Sequence, residues 1–332
     1  MVCHFVSDSH EVMTALIVML PLIVVCVSAC FFRAFRRRTS SEMVSLTSLC
    51  ASFFHTGVVR TAASVEGGSA QPATAPGVAL VQGASRGLGL EFVKQLLERS
   101  AEGRVIATCR DPAGANSLSL LKEQHGERLT VLPLDVTKES TIEAAAKAVS
   151  EQHARLDMLI NTAGILHVDH LNVQPETSLG KLDPHAMILT YQINAMGPLL
   201  VIKHMAALLK AGGGKGTGAS AAIVANLSAR VGSIGDNQVG GWYSYRASKS
   251  ALNQLTKTVS LEFARRKDPV VCILLHPGTV DTDLSKPFQR NVPKGKLFTS
   301  EYSVQKLLGI IDGVGFKENG KFFAWDGQEI PW

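Results

Sequence analysis

From residue 78 to the end, short apolar runs alternate with stretches whose apolar residues recur at helical spacing. VALVQ (78–82) stops at Gly83 and is too short for a helix, which fits a buried parallel strand. Leu88, Phe92, Val93, Leu96 and Leu97 then mark one face of a helix. RVIATC (104–109) predicts a second strand and 118–125 part of a second helix. RLTVLPL (128–134) predicts a third strand, followed by an Ala-rich helix around 142–149. DMLIN (157–161) is a fourth strand, and one long helix is expected over 184–210. AAIVANL (221–227), a helix over 243–266 and VVCILLH (270–276) complete the series. Such regular alternation predicts an α/β domain built on a doubly wound parallel sheet, with helices on both faces.

Upstream the pattern changes. Residues 12–32 carry no charge and are long enough to cross a bilayer; Arg33, Arg36, Arg37 and Arg38 follow directly. Read from Met1, this is a membrane anchor with the downstream domain in the cytosol. Read from Met43, the segment is Ser/Thr-rich, has no acid before Glu66 and carries Arg60, as mitochondrial or chloroplast transit peptides do. Both readings stand. The leader is taken as 1–66, the Gly/Ala/Pro/Ser stretch 67–77 as a linker, and 78–332 as the folded domain. AGGGKGTGAS (211–220) lacks the spacing of a phosphate loop and reads as a surface loop.

With 46% hydrophobic and 18% charged residues, the chain can bury a large core. The net charge of +5 forms no basic stripe interleaved with aromatics, so nucleic acid is not an expected partner. Four of six cysteines (Cys3, Cys26, Cys30, Cys50) lie in the leader, leaving Cys109 and Cys272. No CxxC pair exists, which excludes a zinc ribbon or a disulfide-stapled scaffold and fits a reducing compartment; no metal site is expected.

The first strand runs into Gly83-Ala84-Ser85-Arg86-Gly87-Leu88-Gly89. Glycines let a backbone turn tightly and approach a pyrophosphate, and the helix that follows offers free N–H groups and its positive dipole end. At a first strand-to-helix junction this spacing predicts a dinucleotide site of the Rossmann kind. LINTAG (159–164), Asn194 in NAMGP, YRASK (245–249) and HPG (276–278) follow in order. With them the chain resembles the short-chain dehydrogenase/reductase family over 78–332. WYSYRASKSALNQLTK, HPGTVDTD and WDGQEIPW are most similar to the branch of C-factor-like proteins and Sniffer-type carbonyl reductases. Gln82 stands where most members have Thr, and the exchange is expected to loosen a turn contact.

The resemblance implies roles residue by residue. Tyr245 would be the acid/base and Lys249 its partner. Four apart on one helix, they project from the same face. The ammonium is expected to pull the phenol pKa down from about 10 toward working pH. The phenol could then give a proton to a carbonyl oxygen as hydride arrives, or remove one in reverse. Asn194 matches the residue that holds a water linking the lysine to solvent. The family pattern Asn-x-x-Ser-x-x-Gly puts its serine where Ala229 stands here. Ser228, one place early, is the candidate in its stead, with Ser233 nearby, although strand alternation points Ser228 to the other face.

Implied cofactor contacts are Gly83, Ser85, Arg86, Gly87, Leu88 and Gly89 in the turn, and Asp135 with Val136 beside the adenine. Asn161, Ala163, Gly164, Tyr245 and Lys249 would follow, with Pro277, Gly278, Val280 and Thr282 beside the nicotinamide carboxamide. NAD-preferring relatives carry an Asp at the end of the second strand, where this chain has Cys109 followed by Arg110. Arg110 and Arg86 can fork onto a 2′-phosphate, and only Asp111, read as a turn or cap residue, is an acidic neighbour. NADP(H) is therefore expected over NAD(H). The expected substrate is a small carbonyl compound or its alcohol, under a cover formed by 281–298, in a homo-oligomer. A second reading is a C-factor-like signalling or scaffold protein with little turnover. The displaced serine favours it; intact Asn194, Tyr245 and Lys249 oppose it.

Overall fold

A computed structural model describes residues 77–171, 173–213 and 221–332. The leader, with its apolar run 12–32 and the alternative start at Met43, lies outside the described residues. So do 67–76 of the linker and 214–220 of the glycine-rich loop.

Six strands fall where the apolar runs predict them: β1 (Val78–Gln82), β2 (Arg104–Cys109), β3 (Leu129–Pro133), β4 (Met158–Asn161), β5 (Ala222–Leu227) and β6 (Val270–His276). A seventh, β7 (Phe322–Ala324), pairs with the end of β6 and was too short to read from its pattern. All neighbours run parallel, in the order β3-β2-β1-β4-β5-β6-β7. The order reverses between β1 and β4, and the crevice beyond the carboxyl ends of such strands is where open α/β sheets take ligands.

Side-chain alternation divides the core between the two faces. Val81, Ile160 and Ala225 pack with Phe92 and Leu97 of α1 (Gly87–Arg99) on one side. Leu307 and Leu308 of α7 (Ser300–Gly313) join them there. Leu80, Leu159 and Val224 pack with Ile142 and Val149 of α3 (Glu139–Gln152) on the other. α2 (Asn116–His125) covers the outer strands through Leu118.

The long helix expected over 184–210 is broken. It consists of α4 (Pro184–Tyr191), a π-helical turn at Gln192–Met196, and α5 (Gly197–Gly212). Pro198 has no N–H to give to the carbonyl four residues back, and the Gly197 N–H donates instead to the Gln192 oxygen, five back. The wider turn carries Asn194. α6 (Tyr243–Arg266) begins and ends as its pattern predicts.

The start of β1 is fastened from within. Val78 N–H donates to the buried Asp157 carboxylate at 2.9 Å, and Arg155 meets the same group at 3.1 Å. A chain cut back to residue 77 should therefore fold cooperatively in a thermal melt. Insolubility of that chain beside a soluble full-length protein would move the boundary upstream.

Candidate active site

The turn after β1 is built for close approach. Gly83 adopts φ +84°, and a Cβ there would sit 2.7 Å from the Ala163 nitrogen; one on Gly89 would sit 2.3 Å from the Gly83 oxygen. Substitution at Gly83 would push this turn from the loop after β4, and at Gly89 would push α1 from the turn. Thr162 ties the two loops by donating its hydroxyl to the Gln82 and Gly83 carbonyls at 2.6 and 3.1 Å. Gln82 does not loosen the turn as expected: its side-chain oxygen accepts the Ala163 N–H at 3.2 Å. The first turn of α1 has no side-chain cap and no acidic residue, so its N–H groups face the groove with their dipole end unneutralised. Ser85 and Leu88 lie within this turn and are half-buried. The cradle and the uncapped helix fit a dinucleotide pyrophosphate.

Around the groove, Asp135 accepts the Thr137 N–H and hydroxyl at 3.0 and 2.7 Å. Burial works against its charge, but those bonds, with Lys138 and Arg110 nearby, hold its carboxyl below the usual range. Val136 is buried, and Gly197 must lack a side chain to pass it. Arg110 is exposed at the end of β2 with no ion pair among the described residues. Asp111 serves the turn, accepting the Gly114 N–H at 3.1 Å. Arg86 departs from expectation: its guanidinium meets Asp283 at 2.9 Å, an acid the chain pattern gave no reason to place there. Asn161 also differs. Its amide donates to Asn226 at 2.8 Å inside the sheet, while its buried oxygen has no partner among the described residues.

Tyr245 and Lys249 meet at the carboxyl ends of β4 and β5. Both are buried, and the Lys249 Nζ lies 5.8 Å from the Tyr245 ring centre. Nζ donates to the Leu227 carbonyl at 2.9 Å. Burial pushes the lysine down to about 8. It also pushes the phenol up, and this corrects the expectation of a lowered phenol: in the protein alone, desolvation outweighs the ammonium. Asn194 accepts the Ile165 N–H at 2.7 Å and donates to the Ile165 carbonyl and the Ser248 hydroxyl at 2.8 and 3.0 Å. It thereby pins the Gly164 turn beside the lysine. A Cβ on Gly164 would stand 3.3 Å from Asn194 Oδ1 and 3.5 Å from Lys249 Nζ.

Ser228 is not brought to this cluster. Its hydroxyl donates to Asn253 at 2.6 Å, two turns along α6 from Tyr245, as alternation across β5 dictates. Ala229 has no hydroxyl to offer, and Ser233 accepts the Asp236 N–H at 3.1 Å. On the other rim, Gly278 adopts φ +79° and a Cβ there would strike the Phe298 ring. The Ser303 hydroxyl fastens the Pro277 carbonyl at 2.8 Å. Val280 is buried, and Thr282 lies over Gly87, with its methyl 3.6 Å from where a Cβ would stand. The 281–298 segment folds back so that Phe288 packs on Trp242, ring centres 5.1 Å apart. Three participants had no sequence signal that singled them out: Glu176, whose carboxylate accepts from Ser244 in the first turn of α6, Trp242, and Asp283. Among the described residues, no group of three His, Cys, Asp or Glu side chains could hold a metal.

Residues 77–293 match the short chain dehydrogenase family. A dehydrogenase of Rhodococcus sp. (strain AD45), 1-hydroxy-2-glutathionyl-2-methyl-3-butene dehydrogenase, is 34% identical over 260 residues, covering 76% of this chain and 98% of its own. The C-signal protein of Myxococcus xanthus is 36% identical over 177 residues, 53% of this chain and 93% of its own. Among solved structures, NADPH-bound carbonyl reductase from chicken fatty liver superposes with a TM-score of 0.68 at 34% identity, covering 77% of this chain and 98% of that one. Carbonyl reductase Sniffer of D. melanogaster gives 0.68 at 28%, covering 77% and 99%.

Tyr245→Phe should abolish turnover while dinucleotide binding, followed by fluorescence titration, is kept. Ser228→Ala should leave kcat within about threefold and cost about 1–2 kcal/mol of stability, because Asn253 Oδ1 loses its buried donor. An equal loss of kcat in both variants would make the serine part of the chemistry. Lys249 has a folded pKa below its unfolded value, so the unfolded chain binds more protons between pH 8 and 10. Stability of the wild type relative to Lys249→Met should therefore rise with pH across that window in chemical denaturation. A flat difference would mean that the ammonium is solvated.

Proposed function

The chain belongs to the short-chain dehydrogenase family, and we propose that it is an NADP(H)-dependent oxidoreductase that reduces an aldehyde or ketone, or oxidises the corresponding alcohol. One observation carries this reading: the buried Tyr245–Lys249 pair opens onto the same sheet edge as the uncapped α1 terminus. A proton donor and a dinucleotide cradle are thus set side by side. The NADPH-bound state of the chicken carbonyl reductase supports the cofactor assignment.

A nicotinamide dinucleotide supplies or accepts the hydride when bound. Tyr245 Oη gives its proton to the substrate oxygen in reduction and recovers one from the hydroxyl in oxidation. Burial keeps the phenol protonated, the state a donor needs. As that proton leaves, the tyrosinate forms beside Lys249, which the Leu227 carbonyl holds in place. Asn194 keeps the Gly164 turn against the same ammonium. The leader, as a tether through 12–32 or a transit peptide from Met43, would set where this reaction happens.

A second reading, a signalling protein with little turnover, draws on the likeness to C-signal and on Ala229. Turnover of NADPH with a panel of aldehydes and ketones separates the two, and its absence across the panel would favour signalling. Because Asp283 occupies Arg86, discrimination of the 2′-phosphate rests first on Arg110. NADPH should exceed NADH by about tenfold in kcat/KM. Arg110→Ala should shrink that ratio by raising the KM for NADPH and leave NADH little changed. Equal use of both cofactors by the wild type would leave Arg110 as an ordinary solvated arginine.

A further inference from the structure

Just before the catalytic helix, three consecutive residues adopt left-handed backbone conformations. Gly240 has φ 69°, Gly241 φ 66° and Trp242 φ 51°. Two of the three are glycine, the residue that takes this conformation freely; the third carries the largest side chain in proteins. Such strain persists only where the surroundings enforce it. Here they do. Trp242 N–H donates to the Glu176 carbonyl at 2.6 Å, and Arg246 grips the Gly240 and Gly241 carbonyls at 3.1 and 3.0 Å. The Glu176 carboxylate, 4% exposed, accepts both the N–H and the hydroxyl of Ser244. α6 has no cap of its own, and Glu176 supplies one from a distant loop.

This clamp fixes where the indole goes. Its ring stands edge-on to the Tyr245 ring, with centres 6.2 Å apart, and the Phe288 ring lies against it at 5.1 Å. Phe288 in turn meets His167 edge-on at 6.1 Å. A wall of rings thus runs from the proton-donating phenol to the covering segment. Trp242 and Phe288 are only partly buried and belong to none of the core clusters, so the wall keeps an accessible side rather than filling the core.

We propose that Trp242 is the substrate-selecting residue, held by Glu176, and that it favours carbonyl compounds bearing an aryl or similarly flat apolar group. The proposal rests on the carbonyl-reductase reading. A flat ring gains dispersion contact and edge-to-face attraction against such a wall, whereas a short alkyl chain covers little of it. Glu176 acts only through Trp242 and the first turn of α6, as a positioning residue.

The test uses the full chain with NADPH and two aldehydes, benzaldehyde and propanal. Wild type should favour benzaldehyde by about tenfold in kcat/KM. Trp242→Gly suits the left-handed backbone, so its melting temperature should hold or rise. Its KM for benzaldehyde should rise about tenfold, and its KM for propanal far less. Trp242→Phe should keep most of the preference. Glu176→Gln should raise the benzaldehyde KM more than it lowers kcat, and shift the part of the tryptophan emission that Trp242→Gly removes, Trp325 and Trp332 supplying the rest. Persistence of the aryl preference in Trp242→Gly, or an equal loss on both aldehydes, would overturn the proposal. Turnover of both aldehydes without preference in wild type would sink it alone; turnover of neither would sink the carbonyl-reductase reading and the proposal with it.

Discussion

An ammonium in a protein interior is expensive unless something answers its charge. Lys249 is 4% exposed and has no carboxylate partner among the described residues. A single main-chain oxygen, that of Leu227, is its hydrogen-bond acceptor. The centre of the molecule is arranged to tolerate this ion. Gly164 leaves room at its head, and Gly232 lets the chain pass its stem, where a Cβ would stand 2.7 Å from the Lys249 Cβ. The π-helical turn brings Asn194 to the same corner at the cost of regular helix geometry. A buried cation with no permanent counter-ion is poised to favour a transient one. In the proposed reaction the phenolate left when Tyr245 gives up its proton would be such an anion, and the unfavourable burial would be relieved as it forms.

Much of this architecture was legible in the chain because buried parallel strands read as short unbroken apolar runs. β1, β2, β6 and α6 begin and end where those runs do. The seventh strand escaped because three residues carry no period. The break at Gln192–Met196 escaped because apolar spacing continues through it, and only Pro198 hints at the lost hydrogen bond. At the site, Tyr245, Lys249 and the glycine turn announce themselves by spacing. Ser228 follows the alternation of its strand and turns to Asn253, away from Tyr245, as the strand register predicts. Glu176, Trp242 and Asp283 could not be found this way. Glu176 and Asp283 act on partners 68 and 197 positions away, and Trp242 packs on Phe288, far along the chain, as well as on nearby Tyr245; no local pattern encodes a long-range capping carboxylate or ion pair. The phenol pKa was misjudged for a similar reason. Spacing places the ammonium beside the ring, but says nothing of how dry the corner is.

The Arg86–Asp283 pair joins the glycine turn after β1 to the 281–298 segment, and His167 meets the same segment at the Asp283 carbonyl, 3.2 Å away. Both charged side chains are about two-thirds or more exposed. A fastener of that kind is weak and is loosened further as counter-ions gather around it. Lys249, by contrast, lies where mobile ions do not reach. Ionic strength therefore acts on the Arg86–Asp283 tie and leaves the buried ammonium alone. One protein thus carries two cations that differ in what can reach them, and added salt tells them apart by burial alone.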